Sequence, residues 1–268
     1  LESAGSLSLG SLSAAGAISL VAGSITDSGP DNNAETDVSA ESLRVEVTAM
    51  DGGFGESKNH IHTSVETLSG RIGSGGGFVN ELDTVVVSQV PDIVTSLVLG
   101  DGTVSSSNDS VQSDFVSTGD LVFQTSTGTI TVSDGDNNDR GIEAGGNLLL
   151  KAGGTESDLV LNAAVSSTGG HVSLDAGRDL LQNAGITAGG AGKSVDVLAG
   201  GDVTMAAGTG ITSTDGNVRV EASDSVALRS ISAGSGHVAV LATMGAIVDA
   251  DDNDSVNVTA TDLILQAG

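Results

Sequence analysis

Short runs of alternating apolar and polar residues, bounded by Gly, Ser, Asn and Asp, recur along this chain. One pattern is Val-x-Val/Leu-x-Ala, at Val172, Leu174, Ala176; Val195, Val197, Ala199; Val218, Val220, Ala222; Val238, Val240, Ala242; and Val256, Val258, Ala260. The leading valines are 23, 23, 20 and 18 residues apart. A second pattern follows an acidic or small polar residue: Asp158 before Leu159 to Leu161, Asp179 before Leu180 and Leu181, Asp202 before Val203 to Met205, Ser225 before Val226 to Leu228. A third opens on Val165, Ile186, Ile211 or Ile231, followed by small residues.

An alternation of period two sends Val172, Leu174 and Ala176 inward and leaves Ser173 and Asp175 in water, while the intervening glycines supply corners. Three such strands in about 22 residues make one coil that cannot bury its apolar side alone. Stacked at strand spacing, the coils align Val over Val and Leu over Leu. The pattern therefore predicts an all-β, single-stranded parallel β-helix (β-solenoid) of about 12 coils, a rod about 60 Å long. Residues 1–268 read as one continuous solenoid segment of a longer protein. Residues 50–115 fit worst: Gly75-Gly76-Gly77-Phe78 and Val90-Pro91-Asp92 predict a wider loop or irregular coils, since Pro is confined to edges and turns of sheets.

A longer period overlies the short one. Acidic clusters follow Ile25, Ile130 and Ile247, and each precedes a Leu-rich strand, at Leu43, Leu148 and Leu263. Those leucines are 105 and 115 residues apart, which predicts about two superrepeats.

Composition supports a thin, repetitive core. The 268 residues include 39 Gly, 2 Pro and 4 Phe, with no Cys, Trp or Tyr, yet 38% are hydrophobic. That fraction is too high for a disordered chain. Without cysteine there is no disulfide and no thiolate chemistry, so packing must hold the fold. The net charge of −26 disfavours nucleic acid and anionic lipid as partners, and the nine basic residues are dispersed. No run approaches a membrane span, and Leu1 to Gly5 show no signal-peptide pattern, so the chain reads as an internal piece.

The segments Gly128-Thr129-Ile130 to Ala152-Gly153, Gly245-Ala246-Ile247 to Ala267-Gly268, and Thr63 to Leu68 with Gly76 to Val79, resemble giant repetitive bacterial surface proteins of the filamentous-haemagglutinin-like β-helix kind. The resemblance implies a right-handed coil, export to the cell surface or an extracellular filament, and a role in adhesion or as a spacer. It implies as partners the neighbouring coils of a parent protein, end-to-end copies, or a host, surface or matrix receptor. It specifies architecture rather than activity.

Candidate chemistry is sparse. Asp134, Asp136, Asn138 and Asp139, and likewise Asp249, Asp251, Asn253 and Asp254, space hard oxygen ligands in a way that suits calcium. No EF-hand is present, because the sixth and twelfth places hold Asp139 and Gly145 in one copy and Asp254 and Ala260 in the other. The bland alternative is solvated acidic turns. His60 and His62 lie on one face of a strand, but the nearest downstream carboxylate is Glu66 and no third ligand is evident. Ala191-Gly192-Lys193-Ser194 lacks the first glycine of a phosphate loop, since Thr187 stands there, and no Gly-x-Ser-x-Gly elbow occurs.

These observations predict a non-enzymatic structural or adhesive rod requiring no cofactor. The alternatives are a calcium-binding adhesin module with a receptor and, more remotely, a polysaccharide-acting β-helix enzyme.

Overall fold

A computed structural model describes residues 1–30, 35–250 and 255–268. Among these residues every regular element is a strand, and parallel strands stack about 24 residues apart in about ten turns of a β-solenoid. The turns are fewer and longer than 268 divided by 22 suggests. The step between stacked residues is 44 residues from Gly77 to Leu121 and 27 from Leu121 to Leu148, is 23 from Val172 to Val195 and from Val195 to Val218, then 20 to Val238 and 25 to Leu263.

Each turn contributes strands to three faces. On the first, Leu121, Leu148, Val172, Val195, Val218, Val238 and Leu263 form one column, and Phe123, Leu150, Leu174, Val197, Val220 and Val240 form the next. The second face stacks Val85, Ile130, Leu159, Leu180, Val203 and Val226. The third stacks Phe115, Ile142, Val165, Ile186, Ile211 and Ile231. Nearly all of these side chains are buried, because like residues at strand spacing leave no room for water between them. Corners close equally tightly: a Cβ on Gly177 would lie 1.9 Å from the Gly154 carbonyl oxygen.

Three expectations need correction. Val256, Val258 and Ala260 are not a fifth copy of the first-face strand: Val256 is 77% exposed and Val258 pairs with Ile231 on the third face. Leu263 takes the first-face place, 25 residues after Val238, because the acidic stretch lengthens that coil between its second and third strands. Leu43 stacks on Leu68 in the second-face series, whereas Leu148 and Leu263 share the first face, so the three leucines do not mark one superrepeat. Gly76 to Glu81 form a strand in register with Leu121 to Thr125, not a wide loop.

The irregularity within 50–115 is an antiparallel hairpin, Ile93–Val98 with Val104–Asp109, standing off the stack after Pro91. Its base is pinned. Arg44 Nε donates to the Ser110 carbonyl (3.0 Å), and Gln112 Nε2 donates to the Val45 carbonyl (2.9 Å). Its strands are solvated, with Val94, Leu97, Val98 and Val104 all more than half exposed.

Candidate functional site

The acidic cluster after Ile130 is organised as a turn. Asp134 Oδ1 accepts the amides of Asp136, Asn137 and Asn138, and its Oδ2 accepts the amide of Asp139. Those amides, that of Asp139 first, hold the Asp134 carboxyl below the usual range. Asn137 and Asp139 take left-handed backbone conformations, which short polar side chains tolerate. Asn138 Nδ2 donates to buried Asp114 (3.1 Å) and Gln89 Nε2 donates to the Gly135 carbonyl (2.7 Å), so the turn is fastened to the hairpin base. In the later cluster, exposed Asp249 accepts Asn257 Nδ2 at 2.9 Å, while Asp251, Asn253 and Asp254 lie outside the described residues.

The acid preceding each second-face strand also has a structural task. Asp158 Oδ1 accepts the Asp179 amide, Asp179 Oδ1 the Asp202 amide, and Asp202 Oδ1 the Ser225 amide, one turn after another. Stacked carboxylates repel, and Arg178 lies among them, bonding Asp158 at 2.8 and 2.6 Å and approaching Asp179 at 3.3 Å. Burial pushes the Asp158 carboxyl up, but the Arg178 hydrogen bonds and the Asp179 amide win and hold it low. His171 joins a parallel ladder, its Nδ1 accepting the Ser194 amide (3.0 Å), and His237 pairs with Asp262 (2.7 Å).

Where the repeat breaks, polar groups enter the interior. Glu81 occupies the column that continues through Thr125 to Ala152, Ala176 and Ala199. It is fully buried, accepting Thr63 Oγ1 (2.6 Å) and the amides of Val65 (3.1 Å) and Leu82 (3.0 Å). Burial pushes its carboxyl up to about 7 against those bonds.

A second polar intrusion brings three ionisable groups together. Asp27 closes the strand Ala17–Asp27, Asp37 immediately precedes Val38–Val47, and His62 is the second residue of Ile61–Ile72. The Asp37 amide donates to the His62 carbonyl and the His62 amide donates to Asp37 Oδ2, each at 2.8 Å, so stacking of successive turns sets this juxtaposition. One ligand atom from each of the three lies within 4.8 Å of the other two, and among the described residues no other three acidic or imidazole side chains meet in this way. Burial pushes the Asp37 carboxyl up to about 7, against the pull of the His62 amide, and the Asp27 carboxyl beside it adds to the rise. Two carboxylates this close repel one another when both are charged. His60 lies apart from the cluster's three ligands, its ring 5.9 Å from that of Phe78, with its pKa lowered by burial and then by His62.

Parts of this cluster were visible in the sequence, Asp27 in the acidic run after Ile25 and His62 beside His60, but nothing there joined them. Its members are 10 and 25 residues apart, and only the stacking register joins them. The sole available clue was the coil length, which places Asp37 one turn before His62. Comparison with protein-family models, with curated proteins and with solved structures finds no match to this chain.

Proposed function

We propose that this chain is a rigid, acidic spacer segment of a secreted or cell-surface filamentous protein, similar in role to the haemagglutinin-like rods it resembles. The observation that carries this reading is the unbroken stack of first-face columns from Leu121 to Leu263, whose outer positions are mostly polar or charged residues such as Ser173, Asp175, Asp196, Arg219 and Glu221. Such a surface keeps a rod solvated. About ten turns at strand spacing correspond to a body about 50 Å long.

A second reading, adhesion through a receptor, is favoured by one feature: the solvated hairpin carrying Val94, Leu97, Val98 and Val104. Replacing residues 93–109 by a short Gly-Ser turn separates the two readings. For a spacer, protein-coated beads with and without the hairpin attach equally to cell monolayers and matrix proteins. Attachment lost with the hairpin, in a protein whose circular dichroism is unchanged, would replace the spacer reading by the adhesive one.

A further inference from the structure

We propose that Asp27, Asp37 and His62 form a binding site for a divalent first-row transition-metal ion of the zinc type, clipping together successive turns of the solenoid. The chemistry of the three side chains and the state of their atoms carry the inference. Asp27 is 8% and Asp37 1% exposed, so both carboxylates are more than nine-tenths removed from water. Each carboxylate has one oxygen fixed by backbone: Asp27 Oδ1 accepts the Gly29 amide (2.7 Å), and Asp37 Oδ2 accepts the His62 amide (2.8 Å). The other oxygens, Asp27 Oδ2 and Asp37 Oδ1, and the His62 Nδ1, have no hydrogen-bond partner among the described residues. Buried polar atoms are rarely left without a partner, and here one ligand atom from each of the three side chains lies within 4.8 Å of the other two.

No Lys or Arg forms an ion pair with either carboxylate among the described residues; the contact nearest to one is His62 Nδ1, 3.8 Å from Asp37 Oδ2. A divalent cation would balance two carboxylates, and a neutral imidazole completes the set without adding charge. Calcium and magnesium prefer all-oxygen shells, whereas an imidazole nitrogen with two carboxylate oxygens suits zinc and its neighbours. Ligands around such an ion stand about 3.4 Å apart, so modest side-chain rotation brings the three atoms to bonding distance. The backbone bonds to Gly29 and His62 would then orient the ligands.

The test is calorimetric titration of Zn²⁺ into the chelator-treated full chain, beside His62→Gln and Asp134→Asn. One equivalent is expected to bind wild-type protein at least tenfold more tightly than the diffuse carboxylate background, to be lost in His62→Gln, and to persist in Asp134→Asn. Identical isotherms for wild type and His62→Gln, or displacement of Zn²⁺ by an equal concentration of Ca²⁺, would overturn the proposal. Should His62→Gln fail to fold, Co²⁺ added to wild-type protein decides. A visible ligand-field band removed by Zn²⁺ supports the site, and its absence refutes it.

Discussion

The turns from Leu148 to Ala242 and those from Ala17 to Thr125 share one architecture but use their interior differently. In the later turns one column runs through Ala152, Ala176, Ala199, Ala222 and Ala242, so each turn reproduces its neighbour. In the earlier turns the same column holds Glu81 and Thr125, and the third-face column runs Leu20, Val45, Gly70, Phe115. Gly70 there makes room for a ring: a Cβ on it would lie 2.6 Å from Phe115 Cε2. Stacking in the later turns is more uniform, with Gln182, fully buried between Leu161 and Met205, as its main polar interruption. Every departure from it, by contrast, creates a local feature, whether the hairpin, the buried Glu81 or the Asp27, Asp37 and His62 cluster.

The largest test of this contrast is Phe115→Ala. Phe115 is fully buried opposite Gly70, and its ring packs on Phe123 with centroids 5.8 Å apart. Its truncation leaves a cavity flanked by a glycine that cannot fill it, so a loss of about 3–5 kcal/mol is expected in urea denaturation. A loss below about 1 kcal/mol would mean that the early turns relax more readily than a close-packed column should.

Next in size is the pH dependence set by Glu81. Its folded pKa of about 7 stands above the ordinary 4.5. Below the ordinary value both states are protonated and stability is full. As pH rises towards 7, the unfolded chain releases a proton that the folded chain retains, so stability falls, by up to about 3 kcal/mol. Glu81→Gln should flatten that part of the profile in thermal melts between pH 4.5 and 7. An unchanged slope would place the titration elsewhere.

The smallest effect belongs to the regular region. Arg178→Ala uncovers the stacked carboxylates of Asp158 and Asp179, so the melting temperature should fall slightly at low salt and recover in about 1 M salt, where exposed charges are screened. A fall that persists at high salt would assign Arg178 a packing role instead.

How much could be read beforehand follows the same division. Val172, Val195, Val218 and Val238 are stacked where the spacing places them, because a two-residue alternation repeated at nearly constant length admits one register that buries every apolar residue. Val256 broke the rule, since a strand-like Val-x-Val-x-Ala run matches two faces equally and only the coil length assigns it. Nothing at Val90-Pro91-Asp92 announced the hairpin of Ile93–Val98 with Val104–Asp109. In the run Asp134 to Asp139 the polar character was legible; that Asp134 directs its oxygens at backbone amides of its own turn was not.

The sequence by itself therefore determined the class of fold, the three-strand coil and the polar, acidic exterior, because these depend on local alternation and composition. Only the tertiary structure decided which turns stack at which register, and with it the meeting of Asp27, Asp37 and His62 and the burial of Glu81. The physical reason is that contacts between turns join residues a coil length apart, and that length varies along the chain by whatever each corner and insertion holds.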